Sequence, residues 1–304
     1  MKQSKSYIYV IGFLLMILML VGCGKTEETA PVSADEVMEA DEAPSELRLV
    51  TTTAAVTKIF EELDLDLVGV PTTIQTLAAR YDDAVRVGNP MGPDVEIIAS
   101  LKPTEVFSVT TLEYDLKESF ESLNIPATYV NLQGLQQMKD SILDIGNRYD
   151  RAARAQEIVD TMDKEIAALQ KSVEGKEKPK VLILLGIPGS YLVATENSYI
   201  GDLVRLAGGE NIAAGQAAEY LPSNTEFLHQ SNPDIIIRLA HGMPEEVVKM
   251  FKEEFKTNDI WKHFNAVQND RVYDLEEPLF GTTATMDVTT ALTQLIDTMY
   301  GEQE

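Results

Sequence analysis

The sequence predicts an α/β protein of two lobes, each a mostly parallel sheet flanked by helices, bridged by one long α-helix. Short apolar runs alternate with helix-length segments from Leu47 onward, as in "LRLVTTT" before "AAVTKIFEEL" and "VEIIASLKP" before "EVFSVTT". That alternation, with short connections, is the grammar of parallel strands joined by helical crossovers. It restarts after Pro179 with "KVLILLGI". Between the halves, "NRYDRAARAQEIVDTMDKEIAALQKSVEGKEK" carries apolar residues at 152, 155, 158, 159, 162, 166 and 169, with no Pro or Gly before Gly175. This spacing follows the 3.6-residue helical period for about six turns.

In chain order, the first segment is "MKQSKSYIYVIGFLLMILMLVGC": Lys2 and Lys5, an uncharged stretch from Tyr7 to Gly22, then Cys23. The stretch is short of the roughly 20 residues a membrane span needs and has the layout of a secretory signal. "LVGC" resembles a lipobox, so Cys23 is expected to be acylated and to begin the mature protein on the outer face of the cytoplasmic membrane. Residues 25–45 hold seven acids against one lysine and little to bury, which reads as a disordered tether. The expected division is therefore 1–22 signal peptide, 23–45 lipidated tether, 46–146 first lobe, 147–177 bridging helix and 178–304 second lobe. The length beyond Ser45 suits two lobes of about 130 residues.

Composition excludes several classes. Cys23 is the only cysteine in 304 residues, which leaves no disulfide framework, Fe–S cluster or cysteine nucleophile. A net charge of −24 without a basic stripe argues against nucleic acid and against direct adsorption on anionic lipid. The chain has no G-x-x-x-x-G-K-[ST] and no G-x-S-x-G. In "AGGEN", Gly208 and Gly209 read as the end of a helix and a turn.

Three histidines remain as candidates for chemistry. His263, between Trp261 and Phe264, reads as packing or capping, and His229 as the favourable end of a helix. His241 follows the strand "DIIIRLA" and precedes Gly242, so it is expected just beyond the carboxyl end of a strand, where α/β sheets bind ligands. Taken alone it is open to two readings, structural or functional. Met91 stands between Pro90 and Gly92 in "RVGNPMGPDVE", on a turn expected to be exposed. A thioether there suits a soft metal ligand better than core filling. One Met and one His from opposite lobes would suit a haem iron gripped on both axial sides. Zinc or manganese would ask for several His, Asp and Glu together.

The segments "NPMGPDVEIIASLKPT", "LLGIPGSYLVATENSYIGDLVRLAGGENI", "SNTEFL", "NPDIIIRLAHGMPEEV", "NDIWKHF" and "VYDLEE" resemble the IsdE family. These are haem-binding lipoproteins of Gram-positive ABC importers, within the class III, helical-backbone substrate-binding proteins. The similarity runs from about Leu47 to the C-terminus. It implies His241 and Met91 as axial ligands of haem b, carried as cargo, and two α/β lobes bridged by one helix. It implies propionates held near the start of the first helix, at Ala54 and Ala55, with Thr73 and Gln75 beside them. Relatives can place a lysine where this chain has Gln75, which implies fewer cationic contacts to the haem. Glu96 and Glu226 match the acids that dock such receptors on their permease.

The expected function is thus a surface-anchored, monomeric haem receptor. It would deliver haem to an ABC permease powered by a separate ATPase, be fed by upstream haem-donor proteins, and catalyse nothing itself. The nearest alternative is a ferric-siderophore or cobalamin binding protein of the same fold. An enzyme acting on tetrapyrroles would need an open iron position or a placed acid or base. An adhesive surface lipoprotein is the third alternative.

Overall fold

A computed structural model describes residues 46–301 apart from 225–227, 229, 242 and 278. The expected signal, Cys23, the tether, Glu226 and His229 lie outside the described residues. The described residues belong to one compact unit.

The first half runs β1 (Leu49–Thr51), α1 (Ala54–Glu62), β2 (Gly69–Val70), β3 (Val85–Arg86), β4 (Gly88–Asn89), β5 (Gly92–Pro93), α2 (Val95–Ser100), β6 (Glu105–Val109), α3 (Glu113–Ser122), β7 (Ala127–Val130) and α4 (Leu135–Arg148). Five strands pair in the order β3-β2-β1-β6-β7, every pair parallel. One face packs Leu49, Val70 and Phe107 against Val56, Ile59 and Phe60 of α1. The other packs Val50 and Val106 against Ile98 of α2 and Leu116 and Phe120 of α3. With α1 and α3 on opposite faces, the crossover direction switches between β1 and β6. A crevice opens at the carboxyl ends of such a pair.

The second half runs α5 (Ala152–Ser172), β8 (Lys180–Ile187), β9 (Ser190–Ala194), α6 (Tyr199–Leu206), β10 (Glu210–Asn211), β11 (Tyr220–Pro222), β12 (Ile235–Ala240), α7 (Pro244–Thr257), α8 (Asn265–Gln268), β13 (Val272–Leu275) and α9 (Val288–Tyr300). Its sheet has the order β11-β9-β8-β12-β13, with β10 also on β8. This sheet is mixed: β12 lies parallel to β8 and β13, whereas β9 is antiparallel to β8 and β11. The cause is local. Pro188 and Gly189 make a tight turn between Ile187 and Ser190, and Gly189 takes φ 81°, so β8 folds back on itself instead of entering a crossover helix. Gly208, at φ 83°, closes the turn after α6.

Buried residues of α5 are Ala155, Ile158, Val159, Met162 and Ile166, five of the positions the sequence period marks. The helix is shorter than the 147–177 segment: Asn147 and Arg148 finish α4, Asp150 takes φ 56°, and the Arg151 N–H returns to the Gly146 carbonyl at 2.7 Å. These α5 residues belong to one apolar cluster with Leu49 and Phe107 of the first sheet and Ile183 and Ile237 of the second. The core therefore runs through both lobes without interruption. Two polar ties add to it: Ala284 N–H donates to the Leu132 carbonyl at 2.7 Å, and Lys58 Nζ pairs with Asp287 at 2.7 Å.

Candidate functional site

Ala54, Ala55, Thr73 and Gln75 of the first lobe follow the carboxyl ends of the parallel strands β1 and β2. After β1, Thr53 caps α1 in an extended conformation, its hydroxyl accepting from Val56 N–H at 3.3 Å. Val56 and Thr57 N–H are thereby satisfied within the turn. The N–H groups of Ala54 and Ala55 have no acceptor among the described residues. Free donors at a helix start attract anions. After β2, Thr73 Oγ1 accepts the Gln75 N–H at 3.0 Å, so both belong to one tight loop. Thr72 N–H bonds the Gly88 carbonyl at 2.8 Å and holds that loop beside the β4–β5 hairpin.

Met91 sits at the tip of this hairpin. Gly88 pairs with Pro93 and Asn89 with Gly92, and Asn89 Oδ1 takes the Met91 N–H at 2.9 Å. The turn is thus fixed by its own hydrogen bonds, while Met91 stays 69% exposed. An immobilised backbone under a free thioether is an arrangement that costs exposed apolar surface and yields a soft donor.

In the second lobe His241 follows β12. Its N–H donates to the Gly186 carbonyl at 2.9 Å, so the backbone remains in the sheet up to the histidine itself. Its ring Nδ1 lies 2.7 Å from Glu277 Oε1. Because β12 and β13 are parallel neighbours, with Leu239 opposite Leu275, residues just beyond both ends meet although they are 36 apart in sequence. The Glu277 hydrogen bond and charge hold the imidazole above its ordinary value of 6.5, against the opposing effect of burial. With Nδ1 engaged, Nε2 is the nitrogen left for a metal, and a carboxylate behind a ligating histidine fixes its tautomer and orientation. Sequence reading missed Glu277. The signal was present in "VYDLEE" as an acid just past a strand, and became legible only once the two strands were known to be adjacent.

A second feature was also missed. Among the described residues the large apolar side chains left exposed are Leu47, Ile74, Val85, Met91, Tyr114, Leu123 and Met243, of which Ile74, Met91, Tyr114 and Met243 stand at 105%, 69%, 94% and 56%. Of these four, Ile74 and Met243 follow the carboxyl ends of β2 and β12, Met91 lies between β4 and β5, and Tyr114 stands in the first turn of α3 after β6. Met243 also holds φ 44°, a left-handed conformation unusual outside glycine, at the start of α7.

Glu96 is exposed in the first turn of α2, its N–H on the capping Asp94 carboxylate at 3.1 Å. His263 is exposed at the end of a short 3-10 turn, so it is not a packing residue. Among the described residues no three His, Cys, Asp or Glu side chains gather as a metal-ion set. Two concavities of about 530 and 620 Å3 are lined around α1 with α5 and around α4 with α6; neither Met91 nor His241 lines them.

Comparison with known proteins gives the chain's family and relatives. The family described as "Periplasmic binding protein" matches residues 49–279. The high-affinity heme uptake system protein IsdE of Staphylococcus aureus strain Newman is 49% identical over 260 residues, 85% of this chain and 89% of that protein. The crystal structure of S. aureus IsdE complexed with heme superposes with a TM-score of 0.80 at 50% identity, covering 84% of this chain and 99% of that one. An ABC transporter substrate-binding protein from Listeria monocytogenes EGD-e gives a TM-score of 0.81 at 51% identity, covering 84% and 100%.

Proposed function

Because this chain belongs to the periplasmic binding protein family, we propose that it is a membrane-tethered receptor that captures haem between its lobes and passes it to an ABC permease. The observation that carries the reading is His241, whose Nδ1 is committed to Glu277 at 2.7 Å while Nε2 is left for iron. The names of relatives at 49–51% identity, haem uptake protein and ABC transporter substrate-binding protein, support it.

In this reading Met91 Sδ and His241 Nε2 take the two axial positions of the iron. Thioether with imidazole favours a low-spin haem of raised potential. The exposed Ile74, Tyr114 and Met243 give the porphyrin faces apolar surface, and removing that surface from water supplies binding energy of about 25 cal/mol per Å2. The free N–H groups of Ala54 and Ala55, with Thr73 and Gln75, receive the propionates. With both axial sites filled, iron has no position open for chemistry, so the receptor delivers its cargo unchanged and a separate ATPase drives transport.

The finer assignments belong to the same proposal. Residues 1–22 are removed as a signal peptide, lipid on Cys23 and the 23–45 tether hold the receptor at the outer face of the cytoplasmic membrane, and 46–146, 147–177 and 178–304 divide the globule. Glu96 and Glu226 meet the permease, one per lobe. The receptor works as a monomer and accepts haem from surface donor proteins.

Optical titration of haem into the purified protein, alongside Met91→Ala and His241→Ala, tests the reading. A saturable one-to-one low-spin spectrum that either substitution converts to high spin is the expected result. No saturable uptake by the parent would move the ligand to the siderophore or cobalamin class.

A further inference from the structure

A dianionic porphyrin edge meets a chain of net charge −24, and we propose that Arg86 supplies the local positive charge, its guanidinium clamping a haem propionate in the first lobe. The proposal rests on the haem reading above. Val70 and Arg86 are register partners across β2 and β3, and cross-strand partners project from the same face of a sheet. Val70 packs with Val56, Ile59 and Phe60, so this is the face covered by α1. Arg86 Nη1 reaches the Pro71 carbonyl at 3.5 Å, at the carboxyl end of β2 where the Thr73–Gln75 loop begins. Arg86, the start of α1 and that loop therefore share one face and one end of the sheet.

Charge accounting singles out the same residue. Lys58 is taken by Asp287, Arg80 by Asp64 and Asp66, and Arg154 by Glu62 and Glu157, while Arg48 and Lys102, also without a carboxylate partner, lie at the amino ends of β1 and β6. Arg86 is exposed and has no carboxylate partner among the described residues. Ala54, Ala55, Thr73 and Gln75 offer only neutral donors to an anion. The 3.5 Å contact to Pro71 is at the outer limit of a hydrogen bond and is given up cheaply. A guanidinium can then grip a carboxylate with two parallel N–H donors, which a lysine or glutamine cannot reproduce.

The test compares haem with its dimethyl ester, whose propionates are methylated and uncharged. Both are titrated into the full-length purified protein and into Arg86→Gln and Arg86→Lys at low and high salt. Arg86→Gln is expected to weaken haem binding roughly tenfold, the scale of one charge-assisted hydrogen bond, and to leave the ester at the parent's affinity. Arg86→Lys should recover part of the loss, and added salt should narrow the gap. Equal weakening for both probes would make Arg86 a packing residue and overturn the clamp. Haem binding that needs Met91 and His241 but ignores Arg86→Gln would overturn the clamp alone; a parent that takes up no haem would remove the clamp and the haem reading together.

Discussion

Replacing Glu277 with glutamine keeps the shape of the His241 partner and removes its charge, and it should change haem binding in two opposed ways. The first is loss of positioning. Losing the hydrogen-bond partner behind a ligating histidine costs about 10–100-fold in metal affinity. Here the two side chains are 43% and 41% exposed, so water compensates in part and the low end, about tenfold, applies. The second is a shift in pH. Glu277 raises the His241 proton affinity of the empty protein above the ordinary 6.5, so, with His241 as the proposed ligand, protons compete for Nε2 and haem affinity begins to fall as pH drops through that raised value. Without the carboxylate this window moves to lower pH. In the empty protein the sign is the usual one for histidine: the charged pair stabilises fully below the unfolded value of about 6.5 and is lost as pH rises through the folded value. Haem titrations at fixed ionic strength from pH 5 to 9 give the result. Glu277→Gln should bind about tenfold more weakly at pH 8, with the fall in affinity showing its midpoint at lower pH. An unchanged midpoint, with His241 still required for binding, would refute the link between Glu277 and the ligand nitrogen.

Two further substitutions address the frame. Gly201→Ala would set a Cβ against the Thr195 carbonyl oxygen where α6 starts, in a turn closed by Ser198, and should cost about 1–3 kcal/mol in denaturant unfolding; a neutral result would mean that the 195–201 turn yields easily. Lys58→Met cuts the ion pair with Asp287 between the lobes but keeps the side-chain stem, and with the partners 24% and 43% exposed the loss should stay under about 1 kcal/mol. A larger loss by the same measurement would show that charge, not the shared apolar core, ties the lobes.

Much of this architecture was legible because it depends on local signals. The α5 stripe was read position by position. "DIIIRLA" predicted both β12 and the place of His241 beyond it. What escaped depended on pairing. The hairpin that makes the second sheet mixed turns on two residues, Pro188 and Gly189, inside what reads as a loop. Glu277 meets His241 only because β13 lies beside β12, a neighbour relation that periodicity does not encode. Exposed Ile74 and Tyr114 look like ordinary core residues in the sequence; only their failure to be buried distinguishes them.

The uninterrupted core has a consequence for signalling. Leu49, Phe107, Met162, Ile183 and Ile237 belong to one packed cluster, so separating the lobes would expose apolar area from both sheets and the helix at once. A receptor built this way is expected to keep nearly the same outline empty or full, which small-angle scattering of the two states would check. On the haem-receptor proposal its transporter would recognise occupancy by touch at the rim, from the Met91 hairpin, the 71–75 loop and the cargo's own edge, and the work of extraction would fall to the partner rather than to a spring inside the receptor.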